Sequence, residues 1–172
     1  MTAAERVKAQ IRRAFAVTRY PGDSKLRASD EGDEPFQVER AFRGKRHWRS
    51  LSPQFLDGWA CALSFFSDAA FRFYLPAYLL ADVDGRLEHS NPVFHLTHGL
   101  ERSSAAERVN PRRYGNETWN DYARQRFARF TPRQAAAIVA YLTFKRDSSD
   151  PLDPARQNID DALQSYWYER AA

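Results

Sequence analysis

The chain has few of the residues that usually reveal a protein's chemistry. It contains one Cys, one Met and seven Gly among 172 residues. A single thiol, Cys61, excludes an internal disulfide. Glycine-rich phosphate loops are absent, as are the G-x-S-x-G and H-E-x-x-H patterns that mark hydrolases and zinc proteases. The common catalytic signatures therefore do not apply, and no cofactor is expected.

Long apolar runs are also missing. The longest uncharged stretch in the most apolar region, Phe73 to Ala81, has nine residues, and crossing a bilayer takes about 20. No positively charged segment followed by an apolar run opens the chain as a signal peptide would. With one Cys, these features lead us to expect a cytoplasmic protein without a membrane partner.

The stretch from Ser67 to Val83 is the most apolar part of the chain. Apolar side chains fall on every face of its helical wheel, which predicts a buried helix capped by Ser67. Pro76 cannot donate to the carbonyl of Arg72, so a kink is expected there. The freed carbonyl would then need a donor, for which Tyr74, Tyr78 or a water is available.

Helical periodicity extends over most of the remaining chain. It predicts about six helices and no convincing pair of strands, hence an all-α fold. The length fits one helical domain, 1–172, packed around the central helix. The predicted helices, beside the central one, are Ala3 to Val17, Asp33 to Phe42, Pro53 to Phe66, one starting near Asn116, one starting at Pro132 with Thr131 as its cap, and a last one ending near Trp167.

The Pro53 to Phe66 helix contains Cys61 between Ala60 and Ala62. A thiol in such apolar surroundings is expected to be a small core residue. A nucleophilic role would require a nearby base.

The least regular region, 86–116, is expected to be loop with at most one turn of helix. It contains His95 and His98, an H-x-x-H that would place both imidazoles on one helical face and could contribute to a metal site. The acidic loop 30–34, which includes Asp33 and Glu34, could grip a cation or a basic partner. An enzyme or metal-binding protein using either group is therefore an alternative, with polar packing and a solvated loop as the structural explanations.

The segment Arg43 to Arg49 combines cations with an aromatic ring. Its cations neutralise phosphates and Trp48 could stack on a base, so nucleic-acid binding is a further alternative. Trp48 could equally be a core anchor surrounded by cations. A second basic group lies in the irregular region and could contact an anionic surface; its members are Arg102, Arg108, Arg112 and Arg113. The candidate surface contacts are Arg43, Lys45, Arg46, Arg49, Asp33 and Glu34.

Four phrases in the chain carry a family resemblance: FRGKRHW, LSFFSDAAFRFYLPAYLLADV, FTPRQAAAIVAYL and ALQSYW. In that order they resemble a group of small bacterial all-helical domains of unknown function that share a phrase close to FRYYLPAYL. The resemblance extends from about Ile11 to Trp167 and is most specific at Phe71 to Leu80. It implies a bacterial single-domain protein and brings no catalytic residue.

The absence of a reaction motif and the alternating charge patches favour a non-catalytic module that binds another protein, in the manner of small immunity or adaptor proteins. Whether the protein is an enzyme stays open at this stage, with catalysis the less favoured reading.

Overall fold

The protein has an all-α fold, as the sequence predicts. The structure, a computed structural model, describes residues 1–172. Two isolated β-bridges, Arg27 with Phe66 and Arg108 with Thr118, are its only β pairings. The helices are α1 (Ala3–Ala14), α2 (Glu34–Phe42), α3 (Pro53–Gly58), α4 (Ala62–Phe65), α5 (Asp68–Val83), α6 (Pro92–Thr97), α7 (Pro111–Tyr114), α8 (Trp119–Phe127), α9 (Pro132–Ser148), α10 (Pro154–Ala162) and α11 (Tyr168–Ala171). Short 3₁₀ turns cover Asp23–Lys25 and Trp48–Ser50, and a π-helical turn covers Leu163–Trp167.

The apolar stretch forms the buried helix that its composition predicts. The Ser67 hydroxyl accepts a hydrogen bond from the backbone N–H of Ala70 and so caps α5. An uninterrupted run from Phe73 to Leu79 is buried, because no face of the helix is polar enough for solvent. The helix continues through Pro76 without a break.

The tyrosine hydroxyls of α5 do not serve the Arg72 carbonyl. The Tyr74 hydroxyl donates to the carbonyl oxygens of Phe42 and Lys45, at 3.2 and 2.8 Å. The Tyr78 hydroxyl donates to the carbonyl oxygen of Trp59 at 3.0 Å. Buried hydroxyls need partners, and here the partners are carbonyls at the end of α2 and in the connections that follow α2 and α3. The two hydroxyls therefore attach the central helix to neighbouring backbone, and neither of them bonds the carbonyl of Arg72, to which Pro76 has no N–H to donate.

The prediction of one helix from Pro53 to Phe66 is wrong. The chain forms α3 and α4, separated by a turn at residues 59–61. The Trp59 carbonyl accepts from Tyr78 and from the N–H of Ala62, an arrangement that a continuous helix would not permit. The turn leaves Cys61 exposed, so the expectation of a core thiol is also wrong.

Two compact units make up the chain. One comprises Met1–Gln10 with Val93–Ala172, and the other comprises Ile11–Pro92. In the first, α9, α10, α11 and the π-helical turn pack on one another, and the buried Trp167 indole donates to the carbonyl of Leu96 at 2.9 Å. In the second, α5 packs on α3 and on the Trp48–Ser50 turn, and α2 packs on α4. That residues 1–172 act as one domain stays a prediction.

The irregular region contains more helix than the sequence indicated. It holds α6 and α7, and α8 starts at Trp119 instead of near Asn116. Thr118 and Asp121 form a reciprocal capping box at the start of α8, as Thr131 and Gln134 do for α9. The sequence predicts Thr131 as the cap of α9, and the structure confirms it.

Candidate functional site

Trp48 in the basic segment is a core anchor. Its side chain is buried, and the guanidinium of Arg49 lies 5.1 Å from its ring centre. Arg49 also donates to the carbonyl of Arg12 at 3.0 Å. Lys45 lies over the ring of Phe55 at 4.6 Å. The ring is thus not available for stacking on a base, and two of the segment's cations serve the fold.

The carboxylate of Asp23 lies against the Arg43 to Arg49 segment. Its carboxylate accepts a hydrogen bond from the Tyr20 hydroxyl at 2.5 Å and one from the Gly44 N–H at 2.9 Å. These two donors, with smaller contributions from Arg46 and Arg43, hold the pKa of Asp23 below its usual value. The negative charge next to Gly44 offsets part of the positive field that a phosphate would meet.

A buried carboxylate links the acidic loop to the basic segment. Glu39 is 6% exposed and pairs with Arg27 and with Arg43, the latter at 2.7 Å. Arg27 also bonds Asp30 at 2.9 Å. Burial raises the pKa of Glu39, but hydrogen bonds from Arg27 and Arg43 outweigh it, so the pKa lies below its usual value. Asp30 and Arg43 are therefore connected through two intervening ions.

Asp33 and Glu34, in the acidic loop, remain exposed. Asp33 occupies the N-cap position of α2, yet its side chain makes no capping hydrogen bond. No three His, Cys, Asp or Glu side chains anywhere in the protein are grouped so as to hold a metal ion. The structure thus provides surface charge at Asp33 and Glu34 without building a cation site around them.

The two histidines share α6 and its C-terminal extension but differ in environment. Burial, then the charges of Arg126 and His98, lowers the pKa of His95 to about 4. His95 is therefore neutral at physiological pH. The His98 side chain is partly exposed, and its Nδ1 is 3.4 Å from Oε1 of Glu101.

Glu101 is the polar centre next to the histidines. It is 5% exposed, and its Oε1 accepts a hydrogen bond from Ser104 at 2.7 Å. The Ser104 hydroxyl in turn accepts from the N–H of Gly99 at 2.8 Å. In a Ser-His-Asp triad the serine hydroxyl donates to the histidine. Here the serine and His98 both address the carboxylate, so the group is a packed polar cluster and not a triad.

Four rings form a continuous series of aromatic contacts on the Val93–Ala172 unit. Phe94 stacks on His98 with ring centres 4.8 Å apart, His98 meets Trp119 at 4.7 Å, and Trp119 meets Tyr122 at 5.6 Å. Phe94, His98, Trp119 and Tyr122 are called the aromatic cluster below. Phe94, at its end, is 48% exposed. Large exposed rings are enriched where proteins bind one another.

Sequence reasoning missed the aromatic cluster. The usable signal was the spacing: Phe94 and His98 are four residues apart, and Trp119 and Tyr122 are three apart, so each pair shares a helical face. Because the sequence predicts loop with at most one turn of helix over residues 86–116, it does not place Phe94 and His98 together. The approach of the two helices was not encoded in either pattern.

An arginine-rich segment, residues 102–113, runs beside the aromatic cluster. The backbone N–H of Trp119 donates to the carbonyl of Glu107 at 2.8 Å, and the backbone N–H of Val109 donates to the carbonyl of Glu117 at 3.0 Å. Gly99 has φ +85°, and a Cβ there would lie 2.3 Å from the carbonyl oxygen of Trp119. This close approach, which only glycine permits, seats the start of α8 against the end of α6.

Comparisons with known proteins identify a family and no individual relative. No curated protein and no solved structure matches the chain. No helix has the length and apolar character needed to span a membrane. The family match extends over residues 3–171. The chain therefore belongs to the family described as "Family of unknown function (DUF6714)".

Proposed function

We propose that the protein is a non-catalytic module that binds another protein through the aromatic cluster. The observation that carries this proposal is the position of Phe94, which is 48% exposed while its ring rests on His98 and, through it, on Trp119. A half-exposed ring held by other rings is the kind of anchor that fills a pocket on a partner.

The cluster is held rigidly, and rigidity favours binding. Asn120, next to Trp119, donates through its side-chain amide to the carbonyl of Gly99 at 2.9 Å, and the capping box of Thr118 and Asp121 fixes the first turn of α8. Aromatic side chains have few rotatable bonds, so little conformational entropy is lost when a partner covers them. The surface is organised before a partner arrives.

Binding is favoured over catalysis because the polar groups beside the cluster are not arranged as a catalytic triad. Ser104 and His98 both contact Glu101, so the serine hydroxyl is not paired with the imidazole. Nucleic-acid binding through Arg43 to Arg49 is less favoured, since Trp48 is buried and Asp23 lies against the segment. We extend the proposal to an immunity- or adaptor-like role in the bacterial cytoplasm, as the sequence suggested.

Affinity purification of three tagged forms from source cells tests the proposal. Phe94→Ala truncates the anchor, and Leu152→Ala, at a residue 90% exposed, truncates an apolar side chain outside the cluster. We expect one stoichiometric protein partner with the wild type and with Leu152→Ala, and its loss with Phe94→Ala. The complex is then rebuilt from the two purified proteins, and an affinity loss of at least about tenfold for Phe94→Ala is expected. Equal affinity of all three forms would refute the proposal.

A further inference from the structure

The surroundings of the aromatic cluster specify the chemistry of the partner. We propose that the partner presents an acidic segment carrying an apolar or aromatic side chain, which contacts Phe94 while its carboxylates face the arginine-rich segment. This inference rests on the proposed protein-binding function and adds the class of surface that is bound.

The first argument is the charge of the arginine-rich segment. Residues 102–113 contain four arginines and one glutamate, a net charge of +3, and all five side chains belong to exposed residues. The Arg102 side chain is 90% exposed, and its nearest acidic partner, Asp161 at 3.6 Å, is largely buried. The positive field therefore extends outward into solvent, where it would attract carboxylates.

The second argument is that this charge lies next to the rings. The backbone bonds from Trp119 to Glu107 and from Val109 to Glu117 align the segment with the start of α8, and the bridge between Arg108 and Thr118 lies in the same ladder. An apolar anchor surrounded by polar and charged residues is the usual composition of a protein interface, in which charge complementarity at the rim sets orientation and association rate.

The charges favour an acidic peptide over a nucleic acid. Glu107 and Asp121, which precede and follow Trp119 in sequence, are both exposed. A phosphate backbone carries a negative charge at every nucleotide, so its phosphates would be repelled by these two carboxylates. A peptide can place two or three carboxylates at the arginines and none at these acids. Arginine also pairs with carboxylates bidentately.

Selection from a phage-displayed library of short random peptides tests the inference with purified full-length protein. We expect the enriched peptides to carry an excess of Asp and Glu next to an aromatic or large aliphatic residue. Their affinity should fall at least about tenfold in Phe94→Ala, and it should also fall as the ionic strength is raised from about 0.05 to 0.5 M.

Charge reversal separates a specific rim from general attraction. Arg108→Glu/Arg112→Glu should weaken the selected peptides at least about tenfold. The control Arg86→Glu/Arg133→Glu reverses two exposed charges outside the segment and should change affinity less than about twofold. Circular dichroism of each variant confirms that it is folded before its affinity is compared.

The outcomes distinguish this inference from the proposed function. Peptides that depend on Phe94 but show no acidic excess would overturn the inference and leave the binding function standing. Failure to obtain any Phe94-dependent peptide, together with an unchanged complex in the purification experiment, would overturn both. Displacement of the selected peptides by an oligothymidylate at equal concentration would overturn the acidic-protein partner in favour of a nucleic acid.

Discussion

Replacing Tyr78 by Phe should change the stability of the protein in opposite directions at neutral and at alkaline pH. Tyr78 is fully buried, and its hydroxyl donates to the Trp59 carbonyl at 3.0 Å. That carbonyl also accepts from the N–H of Ala62, so it keeps one partner in the variant. The loss at neutral pH should therefore be about 1 kcal/mol, the net value of one hydrogen bond.

The alkaline effect follows from burial of the phenol. Burial, with smaller contributions from Cys61, Asp57 and Tyr74, raises the pKa of Tyr78 far above its usual value of 10. Its stabilising contribution is complete below pH 10 and is lost as the pH rises above 10, because only the unfolded chain then releases the proton. At about pH 11 this removes about 1.4 kcal/mol from the wild type and nothing from Tyr78→Phe.

The two effects together predict a crossover. Tyr78→Phe should be less stable than the wild type by about 1 kcal/mol at neutral pH and slightly more stable, by about 0.4 kcal/mol, at about pH 11. Urea denaturation of both proteins at a series of pH values measures the difference, in which titrations common to both cancel. Adding Tyr74→Phe should enlarge the alkaline gain, since burial also raises the pKa of Tyr74.

A constant difference between wild type and Tyr78→Phe across this pH range would refute the reasoning. It would mean that the hydroxyl ionises in the native state at its ordinary pKa and is therefore open to water. The near-ultraviolet absorbance of tyrosinate in the folded wild type gives an independent check, because a buried Tyr78 should not contribute to it until the protein unfolds.

Three further predictions concern other sites. The pKa of His95 is lowered to about 4, so the contribution of its neutral form to stability is complete above about pH 6.5. That contribution is lost as the pH drops toward 4, by up to about 3 kcal/mol. Denaturation curves measured over this pH range should show a smaller fall in His95→Phe. Gly99→Ala should lower the free energy of unfolding by at least about 3 kcal/mol, because φ is +85° and the new Cβ would lie 2.3 Å from a carbonyl oxygen. The control Gly85→Ala, at φ +65° with open space around it, should lower it by about 1 kcal/mol. Similar melting temperatures for the two variants would contradict this prediction. Exposed Cys61 should react with Ellman's reagent in the native protein nearly as fast as in urea, and strong protection would show that it is buried.

The presence of a helix could be predicted from the sequence wherever the local pattern was strong. The run without a polar face could only be a buried helix, and Thr131 with Gln134 marked the start of α9 because both halves of a capping box lie within four residues. The predicted helix boundaries were wrong where a residue distant in sequence contacts the backbone. The turn between α3 and α4 is hydrogen-bonded to Tyr78, nineteen residues from Trp59, and the turn could not be inferred from the residues around Trp59.

The candidate site shows the same division. The charges of Asp33, Glu34 and Arg43 to Arg49 were visible in the sequence, and their roles as surface contacts stay predictions. The pairing of Glu39 with Arg27, twelve residues away, and the approach of Asp23 to Gly44, twenty-one residues away, were not visible. Asp23, together with the pairing of Glu39 and Arg43, offsets part of the basic segment's charge.

The sequence by itself determined that this chain is helical and which stretch it buries, because helix formation and burial follow from the spacing of apolar residues along a few turns. Tertiary structure alone decided that Phe94, His98, Trp119 and Tyr122 form one aromatic cluster beside the arginine-rich segment. Those side chains come from two helices more than twenty residues apart, and no local pattern states how closely two helices approach. That distance is set by the absence of a side chain at Gly99 and by the backbone bonds of residues 105–109 with 117–120.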